Sequence, residues 1–127
     1  MITQARVCIV DDDDGVRESI ASFFASVGMS VATFRAAEDL LSSERLPIAD
    51  FVVSDLHMPG MSGVGLLQEV RARRPDLPVV IMTAFGTAEA RAQATQLGVH
   101  AFLCKPVDPE NLLVLIRTAL VGDTANQ

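Results

Sequence analysis

The sequence predicts a doubly wound α/β fold: one five-stranded parallel sheet with five helices on its two faces. Three observations carry this expectation. Short apolar runs suited to strands alternate strictly with segments of helical spacing along the 127 residues. The first run, Val7-Cys8-Ile9-Val10, is continuously apolar, as a parallel strand buried on both faces should be. Three of the runs end in chemistry: Asp11-Asp12-Asp13-Asp14 after the first, Asp55 after the third and Thr83 after the fourth. Ligands of open α/β sheets bind beyond the carboxyl ends of the strands.

Each element has its own warrant. Residues 6–10 form the first strand. The next helix covers 14–27, with Val16, Ile20, Phe23, Phe24 and Val27 at helical spacing, and Gly28 closes it. Its first amides lack partners, so Asp13 or Asp14 serves as the cap. Capping does not account for all four carboxylates, which repel one another unless a cation or a set of donors orders them. A short second strand spans 30–34. A weaker helix spans 36–43, with Leu40 and Leu41 apolar, and Pro47 breaks the chain before the third strand, 50–54.

The turn-rich loop Leu56-His57-Met58-Pro59-Gly60-Met61-Ser62-Gly63 leads into a helix over 63–73. Ser62 is its candidate cap, and Val64, Leu67 and Val70 face inward. Pro75 and Pro78 bracket the turn into the fourth strand, 79–82, which ends at Thr83. The helix over 87–97 is mostly Ala, Gln, Thr and Arg. It has good intrinsic propensity and little apolar area, so burial holds it weakly and it can shift at low cost. Gly98 ends it. The fifth strand is 100–103, followed by Lys105-Pro106. The last helix, 109–121, carries Leu112, Leu113, Ile116, Ala119 and Leu120, and 122–127 reads as a polar tail or the start of a linker.

Length implies a single domain over 1–127 with a core of about 5–121. The net charge of −6 argues against nucleic acid or an anionic membrane as a direct partner. No apolar run approaches the ~18 residues of a membrane span. Residues 1–6 lack the apolar stretch of a signal peptide, so a cytoplasmic location is expected. Cys8 and Cys104 both lie in apolar strand-like runs and read as buried structural thiols.

If the strand order is 2-1-3-4-5, strands one and three are neighbours at the switch point where a crevice forms. Asp11, Asp12 and Asp55 then sit together with only a cation between them. Magnesium suits such a place: it prefers oxygen ligands, takes one or two carboxylates and keeps waters that a phosphate can replace. Thr83 offers a hydroxyl and Lys105 a mobile positive charge, and together they can bind oxygens of a phosphoryl group carried on Asp55. Taken singly, each residue has a plainer reading. Asp55 can cap the following turn, Thr83 can be an ordinary strand-end threonine, Lys105 a solvated lysine and Phe102 a core residue. His57 and His100 stand far apart with no companion spacing, which discounts both as metal ligands or bases through their rings.

Four pieces in order, Val-Cys-Ile-Val-Asp-Asp, Val-Val-Ser-Asp-Leu-His-Met-Pro-Gly-Met-Ser-Gly, Val-Ile-Met-Thr-Ala and Phe-Leu-Cys-Lys-Pro, carry a resemblance over about residues 5–121. The chain resembles a response-regulator receiver domain of two-component signalling, within it the FixJ-like group, whose fold is the flavodoxin-like (CheY-like) one. The resemblance implies that Asp55 is the phosphoacceptor and takes its phosphoryl group from a sensor histidine kinase. It implies that Asp11, Asp12, Asp55 and the backbone carbonyl of His57 hold magnesium, or manganese in its place. Thr83, Ala84 and Lys105 would contact the phosphoryl oxygens, and the bond before Pro106 would be cis. Phe102 matches the aromatic switch position, whose ring turns inward when Thr83 moves. It replaces the tyrosine of many relatives, so switching there would work through packing alone.

His57 and Phe85 occupy the positions that tune hydrolysis in the family. Phe85 cannot orient a water by hydrogen bonding, so slow self-dephosphorylation is expected. The output face would be the fourth helix, fifth strand and fifth helix, with phosphorylation favouring a homodimer. FixJ-like proteins carry a DNA-binding domain after the receiver; here the chain is read either as stand-alone or as part of a longer regulator, with no direct nucleic-acid binding of its own. The competing reading is an enzyme, a magnesium phosphatase of the haloacid-dehalogenase type using Asp11-Asp12-Asp13, although the chain is short for that and has no cap domain. A flavodoxin-like cofactor binder fits less well, because four aspartates after the first strand would repel a phosphate.

Overall fold

The structure, a computed structural model, describes residues 5–125, with side chains for 5–120. Residues 1–4 and 126–127, on which part of the N-terminal and tail expectations falls, lie outside the described residues. The elements in chain order are β1 (Arg6–Val10), α1 (Asp14–Ser26), β2 (Ser30–Phe34), α2 (Ala37–Leu41), β3 (Phe51–Asp55), α3 (Gly63–Arg73), β4 (Val79–Thr83), α4 (Ala88–Gln96), β5 (Ala101–Cys104) and α5 (Pro109–Ala125). All strands are parallel, in the order β2-β1-β3-β4-β5. The alternating β and α segments thus fold as a five-stranded doubly wound sheet, as the sequence predicts.

Alternate residues of each strand point to opposite faces. On one face Cys8, Val10, Val52 and Ile81 pack against Leu40 of α2, Leu66, Leu67 and Val70 of α3, and Ala94 of α4. On the other, Val7, Ile9, Phe51, Val53, Val80 and Met82 pack against Ile20 and Phe24 of α1 and Leu112 and Ile116 of α5. β3 and β4 are buried along their whole length, whereas the edge strands β2 and β5 are only partly covered.

The caps fall where the sequence puts them. Asp13 accepts from the Val16 amide at 3.0 Å and Ser62 from the Gly65 amide at 3.1 Å. Gly28 (φ 91°) and Gly98 (φ 75°) stand just past α1 and α4 in the left-handed region that favours glycine. Several expectations need correction. α2 is shorter than 36–43, and the chain continues through a 3-10 turn at Leu46–Ile48. Arg74 holds that turn, donating to the carbonyls of Leu46 at 2.9 Å and Ala49 at 2.7 Å. On α3, Leu66 is fully buried and Val64 only partly so, because the apolar stripe is rotated toward Leu66. α5 runs beyond residue 121 to Ala125. Cys8 is buried, but Cys104 is exposed: it ends β5, an edge strand of the sheet among the described residues. Among the described residues, no helix is long and apolar enough to cross a membrane.

Candidate functional site

The acidic site begins with register. Val10 of β1 pairs with Ser54 of β3, so the next residues, Asp11 and Asp55, leave the sheet side by side at its carboxyl rim. Asp55 pairs with Met82 of β4, and Thr83 with Cys104 of β5, which brings Thr83 and the following Lys105 to the same rim. Four short strands thus deliver residues distant in sequence to one crevice at the switch point.

Lys105 reaches across it. Its Nζ donates to Oδ2 of Asp11 at 3.0 Å and lies 3.5 Å from Oδ1 of Asp55. Asp11 is fully buried and Asp55 is 6% exposed, while Asp12 is open to solvent. The peptide bond between Lys105 and Pro106 is cis. One oxygen from each of Asp11, Asp12 and Asp55 lies within 4.8 Å of the others. Burial pushes the Asp55 carboxyl above the usual carboxylate range, the neighbouring Asp11 adds to the push, and Lys105 only partly opposes it. For Lys105, burial acts to lower the ammonium, but Asp11 and then Asp55 outweigh it and hold the group above its ordinary value. Two carboxylates thus share one ammonium beside a third, exposed one, and such a set of hard oxygen donors fits a small divalent cation.

The other predicted residues surround this centre. Thr83 is fully buried, and its Oγ1 accepts from the Phe85 amide at 3.1 Å. Ala84 and Lys105 line a cleft that also includes Val16, Ile20, Pro106 and Val107. The His57 ring is exposed and its Nε2 lies 3.1 Å from the Phe85 carbonyl. A carbonyl only accepts, so Nε2 carries the proton there and donates. Phe85 itself is 80% exposed. Phe102 is half-buried, with the Arg91 guanidinium 4.8 Å from its ring centroid. His100 lies at the opposite rim of the sheet, its amide bonded to the Val79 carbonyl and its ring edge-on to Phe51. Sequence reasoning missed Arg17, which is buried and donates to the Asp11 carbonyl at 2.8 Å. Its only sequence signal is the spacing of three residues from Asp14.

A parallel sheet in this order, with acid, hydroxyl and lysine gathered at one rim, defines a signalling receiver module. The chain matches the response regulator receiver domain family over residues 7–117 and belongs to it. Receiver domains of this family are parts of two-component systems. Among its relatives, the transcriptional regulatory protein FixJ of Azorhizobium caulinodans is 36% identical over 121 residues, covering 95% of this chain and 57% of that protein. The DNA-binding transcriptional regulator NtrC of Salmonella typhimurium is 35% identical over 114 residues, 90% of this chain and 24% of NtrC. The chain therefore spans between a quarter and somewhat over half of these regulators. A solved CheY-like receiver domain protein from Methanospirillum hungatei superposes with a TM-score of 0.89 at 25% identity, covering 98% of this chain and 99% of that one.

Proposed function

We propose that this receiver domain accepts a phosphoryl group on Asp55 from the phosphohistidine of a sensor kinase. One observation carries the reading: the Asp55 carboxylate is nearly buried beside Asp11, with the Lys105 ammonium 3.5 Å away. An Asp55 oxygen forms the new bond to phosphorus as the phosphorus–nitrogen bond of the donor breaks. Lys105 is placed to meet one phosphoryl oxygen, and the Thr83 hydroxyl and Ala84 are the groups on β4 and just after it that meet others. Asp11, Asp12, Asp55 and the His57 backbone carbonyl would hold magnesium or manganese. When bound, the ion offsets the negative charge that gathers on the transferring group.

Phosphorylation draws Thr83 Oγ1 away from the Phe85 amide, and Phe102 repacks in response. The face made by α4, β5 and α5 then shifts between two populated states and favours homodimerisation. The domain works in the cytoplasm and does not itself bind nucleic acid, leaving that to an output domain of a longer regulator, as the DNA-binding relative NtrC suggests. The deciding experiment is acetyl phosphate with magnesium, read by mass spectrometry on intact protein. Wild type should gain one phosphoryl group and Asp55→Asn none. Equal labelling of the two, or label on Asp11, would instead favour phosphatase-like chemistry.

A further inference from the structure

Arg17 on α1 is buried, yet none of the chemistry above uses it. Its guanidinium bridges two points of the acidic loop. Nη1 donates to the Asp11 carbonyl at 2.8 Å, and Nη2 donates to the Asp14 carboxylate, with which it forms an ion pair. A rigid fork of donors suits such a bridge, where a single ammonium does not.

Every other polar atom of Asp11 is also fixed. Its amide donates to the Phe34 carbonyl at 3.1 Å, Oδ1 accepts from the Asp13 amide at 2.9 Å, and Oδ2 accepts from Lys105 at 3.0 Å. Asp12 differs. It is exposed, and its carboxylate meets no donor among the described residues. What aims it is the backbone before it. The Asp11 carbonyl belongs to the planar peptide that joins Asp11 to Asp12, so the bond from Arg17 sets the direction in which Asp12 leaves.

We propose that Arg17 is a positioning residue: it locks the Asp11–Asp12 peptide so that Asp12 faces the oxygens of Asp11 and Asp55. This rests on the reading that the three carboxylates hold a divalent cation. The sign of the effect separates positioning from charge. Arg17 is itself a cation beside the site, so through-space repulsion alone would make its removal tighten Mg²⁺ binding. Loss of positioning acts the other way, because outer-shell partners of metal ligands typically govern about 10–100-fold in affinity.

The test is a Mg²⁺ titration of the whole chain, followed through backbone amide shifts of residues 11–14 and 55–57. Wild type should bind, and Arg17→Met should bind about tenfold more weakly. Without metal, the Asp12 and Asp13 amides of that variant should exchange with solvent faster than in wild type, while those of β3 and β4 stay protected. Binding by Arg17→Met as tight as wild type, or tighter, overturns the assignment and leaves the metal reading intact. Wild type that binds no Mg²⁺ overturns both. If Arg17→Met does not fold, Arg17→Lys decides: it keeps the charge and loses the fork, so several-fold weaker binding supports positioning and wild-type affinity refutes it.

Discussion

Asp55 is pulled in two directions. Burial and the adjacent Asp11 disfavour its ionised form, while Lys105 favours it, and the first pair prevails. A carboxyl whose folded pKa is raised contributes stability below its unfolded value, 3.8, and loses that contribution as pH rises through the folded value. Asp55→Asn removes the charge and keeps the shape. It should therefore melt a few degrees above wild type at pH 7, and the gap should close as pH falls below about 3.8. Thermal scans across pH read this directly, and an unchanged gap at pH 3 would contradict it. His57 and Phe85 form a second residue-scale pair, since the imidazole ties the loop after β3 to the loop after β4. With Phe85 unable to orient water, the phosphorylated domain should decay slowly. Phe85→Glu should speed that decay several-fold, and identical lifetimes would remove Phe85 from the account. Asp55 and Lys105 were legible as strand-end residues of uncommon type. Arg17 was not, because nothing in a sequence marks an arginine on a helix as buried.

α4 is unlike the other long helices. Of its nine residues only Ala94 is buried. Its C-terminal end is held from outside: Arg71 on α3 donates to the Leu97 carbonyl at 2.8 Å and the Gly98 carbonyl at 3.1 Å. The same guanidinium also donates to the Leu77 carbonyl at 2.8 Å. The N-terminal end adjoins the exposed loop after Thr83. A helix anchored at one end and lightly packed elsewhere opens locally from its loose end. Hydrogen exchange in α4 should therefore be fastest in its first turns and slowest near Ala94. Arg71→Met strips charged donors from several carbonyls at once, so it should destabilise the domain by about 2 kcal/mol and abolish that gradient. A denaturant melt and an exchange profile of the variant check both. The sequence foretold the weak packing of α4 from its composition. It did not foretell the clamp, because Arg71 and Leu97 meet only once α3 and α4 lie on the same face of the sheet.

At the scale of the whole molecule, the carboxylates of three residues meet at one rim, and a cation bound there would couple to folding. Mg²⁺ that binds only the folded chain should raise its stability by about 2.7 kcal/mol at a hundredfold excess over Kd. Asp12→Asn should lose most of that gain, and a Mg²⁺-independent melting temperature in wild type would refute the site. Phosphorylation should also shift the α4, β5 and α5 face toward pairing with a second copy. Light scattering with and without beryllofluoride and Mg²⁺ reads that as a doubling of mass, whereas a constant mass would show that this face signals without dimerising. Cys104, exposed on β5 at that face, gives a place to attach a spectroscopic label without disturbing the core.

What the sequence alone determined was the order of elements, the parallel sheet and the residues that end each strand. Those properties follow from local spacing and from burial on both faces, both written along the chain. What only the tertiary structure decided was partnership: Lys105 on Asp11, Arg17 on the Asp11 carbonyl, Arg71 on the end of α4, and the exposure of Cys104. Lys105 and Arg71 find their partners across the fold rather than nearby along the chain, and Arg17 meets its own only once α1 is placed against the end of β1. Their contacts are therefore set by register and helix placement, which no short stretch of residues encodes by itself.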